Sequence, residues 1–166
     1  MNAQASDTPD FLSIIRALSS LSVEFIVVGG VAANLFGSAR LTYDLDIVYS
    51  RKEENLRQIV KALQNANPYL RGAPPGLPFK FDLRTLKNGL NFTRTTDLGP
   101  IDLLGEIPGA SSYEELLGDS FEISEQHLRF RCVTLARLIQ LKNAAGRPKD
   151  LESLAELRAI LEDMEK

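Results

Sequence analysis

The spacing of hydrophobic positions changes along the chain, and the changes mark out its elements. Phe11, Ile14, Ile15 and Leu18 fall at i, i+3, i+4 and i+7, a helical stripe, with Thr8 as N-cap and Pro9 as first helical residue ahead of it. "EFIVVGG", residues 24–30, is an unbroken apolar run ended by glycine, the pattern of a strand covered on both faces. Residues 31–36 read as a short helix stopped by Gly37, and "YDLDIVYS", residues 43–50, as a second strand. Ser50 and Glu53 have the spacing of a capping box, ahead of a helix with Leu56, Ile59, Val60 and Leu63 on one side.

"NPYLRGAPPGL", residues 67–77, is rich in proline and glycine and reads as a loop. "GLNFTRTT" and "PIDLL", joined by "DLG", make a hairpin by pattern, and "FEI" with "HLRFRCV" makes a second. Ser111 and Glu114 are placed to cap a short helix between them. Thr134 caps a helix ending at Gly146, and Pro148 opens a last helix carrying Leu151, Leu154, Leu161 and Met164. Helix, two strand-helix units, hairpins and helices in that order predict an α+β (α/β) domain with a mixed sheet. One domain over residues 1–166 is expected, with a core from about 23 to 157 and C-terminal helices over 134–164.

Charge adds a local asymmetry. The net charge of −3 gives no support to wholesale coating of nucleic acid. Yet Arg129, Arg131, Arg137, Lys142, Arg147 and Lys149 follow one another without an acidic residue, and an acidic tail comes after them. This is either a solvated surface with partners elsewhere or an anion-binding face. Cys132 is the only cysteine, so neither a disulfide framework nor a cysteine metal cluster is expected, and a reducing compartment fits. His127 is also alone, and an ordinary strand residue is the expectation. The N-terminal stretch has no apolar core and no segment reaches about 18 apolar residues, so a cytoplasmic protein without a membrane partner is expected.

The chemistry enters with carboxylates in apolar strands. Asp44 and Asp46 emerge on one strand face while Leu45 and Ile47 point to the other. Two acids held that way repel each other unless a divalent cation or donors compensate. Hard oxygen ligands without nearby cysteine or histidine favour Mg²⁺ or Mn²⁺ over zinc. Asp102 is a third acid in an apolar strand, and three carboxylates around metal are a recurring device for displacement at phosphorus. The bland alternative for all three is solvation at strand ends.

Gly29 and Gly30 sit where a buried strand turns into a helix, so their amides face whatever anion lies there. A tight turn alone would also require them. Lys142 lies near the middle of an arc formed by Leu135, Leu138, Ile139 and Ala145, where it must snorkel out or meet a triphosphate or one of the acids. Arg40 could hold a phosphate bidentately or make an ordinary salt bridge.

"GGVAANLFG-SARLTYDLDIV", "FTRTTDLGPIDLLGEIPG" and "LARLIQLKNAAGRPKDLESLAEL" resemble, in order, the motifs of the nucleotidyltransferase superfamily related to DNA polymerase β. The form is that of AbiEii-like toxin proteins and their bacterial relatives, and the likeness runs from about Val23 to Leu157. It implies a nucleotidyltransferase-like mixed sheet flanked by helices, NTP and Mg²⁺ or Mn²⁺ as ligands, and transfer of a nucleoside monophosphate to a hydroxyl. By position it implies that Gly29, Gly30, Arg40 and Lys142 serve the nucleotide and that Asp44, Asp46 and Asp102 are catalytic metal ligands. Asp102 would also activate the acceptor hydroxyl. The acceptor would be an RNA end, a protein or a small molecule, and a cognate toxin or antitoxin partner is implied. Phe36 stands where many relatives have histidine, and Gly29-Gly30 replaces the Gly-Ser of the minimal enzymes. The competing expectation is a non-catalytic module of the same fold that binds nucleotide or a partner.

Overall fold

The structure is a computed structural model and describes residues 8–166. The N-terminal stretch expected to lack a leader lies mostly outside the described residues. The strands are β1 (Phe25–Val28), β2 (Leu45–Tyr49), β3 (Tyr69–Leu70), β4 (Asn91–Thr96), β5 (Gly99–Leu104), β6 (Ser120–Glu125) and β7 (Leu128–Val133). They form one seven-stranded sheet in the order β3-β4-β5-β2-β1-β7-β6. The β1–β7 and β2–β5 pairs are parallel and the rest antiparallel, so the sheet is mixed as expected. Every residue of β1 is buried, which requires cover on both faces and explains its lack of alternation.

The helices are α1 (Phe11–Ser20), α2 (Gly29–Leu35), α3 (Glu53–Leu63), α4 (Leu83–Asn88), α5 (Tyr113–Leu117), α6 (Leu135–Ala145) and α7 (Pro148–Met164). Ile14, Ile15 and Leu18 of α1 are buried in the continuous apolar core with Leu56, Ile59 and Leu63 of α3. α2 is set on β1 and β2 and meets α6, which packs along α7. Thr134 caps α6 by accepting from the Arg137 amide, and Gly146 ends it with φ +64°.

Three caps differ from expectation. Asp10, not Thr8, caps α1 by accepting from Ser13 N at 3.1 Å, and its own amide donates to Leu98 O. The Ser50–Glu53 box does not form, because α3 starts one residue after Lys52. Ser50 is buried instead, where Asn55 of α3 donates to its carbonyl and bonds both backbone groups of Glu24. Ser112 caps α5, and Glu115 rather than Glu114 reaches back, to Ser111 N at 2.7 Å.

Other elements shift too. The proline-rich segment holds the two-residue edge strand β3, and the pattern gave no sign of α4, which Asp82 caps. On α7 the inward face carries Ser153, Leu154 and Leu157, while Leu151 and Met164 are exposed. His127 lies in the β6–β7 turn with φ +68°, not in the strand. Among the described residues no helix is long and apolar enough to cross a membrane.

Candidate metal centre

Strand register builds the site. In the antiparallel β1–β2 pair Asp46 is opposite Val28, and in the parallel β2–β5 pair it is opposite Asp102. Asp44 precedes β2 by one residue, two positions from Asp46. One carboxylate oxygen from each of Asp44, Asp46 and Asp102 lies within 4.8 Å of the others. The three acids expected to converge do so because a central strand and its parallel neighbour carry them at the same level.

The cluster is electrostatically unbalanced. Asp46 Oδ1 and Asp102 Oδ1 are buried and receive no hydrogen bond. Burial, then contact with Asp102 and the charges of Asp102 and Asp44, push the Asp46 carboxyl from 3.8 up to about 7, against the pull of Lys149.

Arg71, from the loop after β3, is the cation that approaches it. Its Nη2 is 2.9 Å from Asp102 Oδ1 and its Nη1 3.8 Å from Asp44 Oδ2. Nη2 spends its protons on the carbonyls of Arg94 and Ile101, at 2.9 and 3.1 Å, so the guanidinium gives Asp102 charge without an aligned hydrogen bond. Nothing in the sequence pattern singled out Arg71.

The paired glycines are fitted to this strand. Gly29 has φ +65°, and a Cβ there would collide with Asp46 Oδ2. A Cβ on Gly30 would lie 2.5 Å from Thr42 Oγ1, which donates to the Asp44 carbonyl. Their bare backbone therefore lets the start of α2 lie directly on the acidic segment.

A cavity of about 350 Å³ opens from the glycines and acids toward α6 and α7. Gly29, Gly30, Arg40, Asp44, Asp46 and Lys142 all border it, while Asp102, close to both acids, does not. Lys142 neither snorkels out nor meets the three acids, because its ammonium is 3.8 Å from Asp150, a carboxylate only 3% exposed. Burial lowers the Lys142 pKa and the Asp150 charge opposes that. Arg147 completes the cluster with two hydrogen bonds to Asp150, and with Lys149 it also borders the cavity. Sequence reading placed these two in the basic run and Asp150 in the acidic tail; their meeting at the α6–α7 corner was not visible in either. Arg40 pairs at 3.7 Å with Glu152, both well exposed. Elsewhere in the basic run Arg129 pairs with Glu122, and Arg137 with Glu115 and Asp119. Burial pushes the Cys132 thiol up to about 12, so it is an inert core residue.

The residues present fit a divalent cation. The ligand atoms are all carboxylate oxygens, two of them are buried and accept no hydrogen bond, and Asp46 is penalised for its charge. A hard cation removes all three deficits, and the absence of sulfur and imidazole from the set matches magnesium or manganese.

The fold is one already seen in a solved structure. A candidate nucleotidyltransferase from Thermotoga maritima superposes with a TM-score of 0.56 over 88% of this chain and 88% of its own, at 15% sequence identity. The chain thus has a nucleotidyltransferase-like fold. No family profile and no curated protein sequence matches it.

Proposed function

We propose that this protein is a metal-dependent nucleotidyltransferase that moves a nucleoside monophosphate from an NTP to a hydroxyl acceptor, with pyrophosphate leaving. The observation that carries the reading is the three-carboxylate cluster with two buried oxygens that accept no hydrogen bond. The fold shared with the Thermotoga protein supports it.

Asp44, Asp46 and Asp102 would hold Mg²⁺ or Mn²⁺. When bound, the ion neutralises charge on the transferring phosphoryl group and polarises the attacking oxygen. The chain's own residues do the rest. Gly29 and Gly30, without side chains, let phosphate oxygens approach backbone amides, and Arg40 stands at the same cavity. Lys142, Arg147 and Lys149 offset the triphosphate charge from the opposite wall. Asp102 takes the proton of the acceptor hydroxyl as that oxygen bonds to the α-phosphorus and the bond to pyrophosphate breaks. Substrates of this kind are intracellular, which agrees with a cytoplasmic setting. The resemblance to AbiEii-like proteins points to an RNA end, a protein or a small molecule as acceptor, and to a cognate toxin-antitoxin partner.

A second reading, a module that binds nucleotide without turnover, is favoured by the Arg71–Asp102 contact, which offsets charge without a metal. Incubation with α-labelled NTPs, Mg²⁺ or Mn²⁺, and cellular RNA and protein separates the two. Label transferred by the wild type and lost in an Asp44→Ala, Asp46→Ala double variant supports the enzyme. NTP binding with no transfer by either protein supports the module.

A further inference from the structure

We propose that Arg71 is the resident counter-cation of the carboxylate cluster, competing with the divalent cation for Asp102 and Asp44, so that loading the site expels its side chain. This rests on the metal reading of those acids and adds a gate to it.

The seat of Arg71 is electrostatically strong and geometrically poor. Its guanidinium touches Asp102 and Asp44 at 2.9 and 3.8 Å, yet Asp102 Oδ1 receives no aligned hydrogen bond and Arg71 Nε is itself buried without a partner. An arginine kept only for structure would normally make a bidentate fork to its carboxylate. Here the donors that are aligned go to main-chain carbonyls of Arg94 and Ile101. The side chain is parked beside the acids and pays for it with an orphaned Nε.

The oxygens it approaches belong to the same residues that would ligate the metal. A divalent ion there and a guanidinium in contact with its ligands repel each other, even with Arg71 27% and Asp44 40% exposed to the water that screens part of that charge. The two compete for the same oxygens.

The chain carrying Arg71 is built to yield. β3 is a two-residue edge strand with two register pairs to β4. It runs into Gly72 at φ +77°, Pro74, Pro75 and Gly76 at φ +88°, held within itself by the Tyr69 hydroxyl to Pro74 O and Leu77 N and by Ala73 N to Leu70 O, and on the sheet by the Arg71 side chain. Withdrawing the side chain gives up its hydrogen bonds to the Arg94 and Ile101 carbonyls but breaks none of the β2–β5 register pairs that hold Asp46 and Asp102 level.

The test uses the full chain and Mn²⁺ as probe. Calorimetric titration compares the wild type with Arg71→Met, Arg71→Lys and Asp46→Asn. Removing the resident charge in Arg71→Met should tighten Mn²⁺ binding about tenfold or more, while Arg71→Lys, which keeps the charge, should stay near the wild type. Equal or weaker binding by Arg71→Met overturns the proposal. Should that variant not fold, trypsin on the wild type decides: cleavage after Arg71 should accelerate several-fold with Mn²⁺ and not in Asp46→Asn. A rate unchanged or slowed by Mn²⁺ overturns it. No Mn²⁺ binding by wild type and Arg71→Met alike overturns the metal reading and this gate together, whereas binding without competition removes the gate alone.

Discussion

Asp46 and Asp102 are register partners in the parallel β2–β5 ladder, and each keeps one buried oxygen that accepts no hydrogen bond. Two carboxylates in that position destabilise the fold they belong to, and a chain retains such a pair where a ligand resolves it. Asp46→Asn should therefore raise the stability of the metal-free protein at pH 7.5, by roughly 1–3 kcal/mol, since an amide carries no charge and can donate to Asp102. The same variant should lose the rise in melting temperature that Mg²⁺ gives the wild type. Thermal melts with chelator and with Mg²⁺ measure both, and a variant less stable than wild type in chelator would contradict the electrostatic account.

The pH dependence follows from the same group. Asp46 titrates at about 7 in the folded chain against an ordinary 3.8. Between those values the folded chain holds a proton the unfolded chain has lost, so stability is full below the lower value and declines as pH rises through the upper. The slope approaches about 1.4 kcal/mol per pH unit at most. Acids whose pKa is lowered, such as Asp10 and Asp82, lose their contribution only as pH falls below the ordinary carboxylate range. Urea unfolding in chelator should thus show stability falling from pH 5 to pH 7.5. Saturating Mg²⁺, which selects the deprotonated cluster, should reverse the trend and release protons on binding at pH 6.

Gly29 and Gly37 separate two costs of a methyl group. Both have positive φ, +65° and +108°, but a Cβ at Gly29 meets the Asp46 carboxylate whereas at Gly37 it meets nothing within 4 Å. Gly37→Ala should cost about 1 kcal/mol of backbone strain. Gly29→Ala should cost roughly 2–4 kcal/mol and weaken Mn²⁺ binding as well, because Asp46 must move. Denaturant midpoints and metal titrations of the two variants make the comparison, and equal losses would show that the glycine serves only the turn.

The legible part of this molecule is the part encoded locally. Asp44, Asp46 and Asp102 stand out because an acid in an apolar run is anomalous whatever its neighbours are. The pairing of β2 with β5, which brings them together, is a long-range choice that no local pattern fixes, and the resemblance implied only that the three acids share one metal site. Arg71 stayed hidden because "NPYLRGAPPGL" has no period, and a basic residue in a turn-rich segment is ordinary. Asp150 was hidden by an opposite effect: an acid in the first turn of a helix looks like dipole compensation, and only the packing of α7 on α6 buries it. The caps moved by one or two residues because Asp10 and Ser112 offered equally good acceptors and tertiary bonds such as Asp10 N to Leu98 O chose among them.

Burial also ranks the ion pairs that border the cavity. Asp150 is 3% exposed and accepts from Arg147 Nε at 2.7 Å, with the Lys142 ammonium 3.8 Å away and itself 13% exposed. Removing the carboxylate leaves that ammonium half-sequestered without a counter-ion, so Asp150→Ala should cost about 2–4 kcal/mol. Arg40 and Glu152 are 47% and 67% exposed and 3.7 Å apart, a pair that water and salt screen, so Arg40→Ala should cost less than about 0.5 kcal/mol. Arg40 borders the cavity all the same, and its loss should appear in nucleotide affinity rather than in the melt. Unfolding curves beside NTP titrations separate these effects: a large stability loss in Arg40→Ala would move that residue into the scaffold, and a small one in Asp150→Ala would mean that solvent reaches Lys142 far more freely than its packing between α6 and α7 allows.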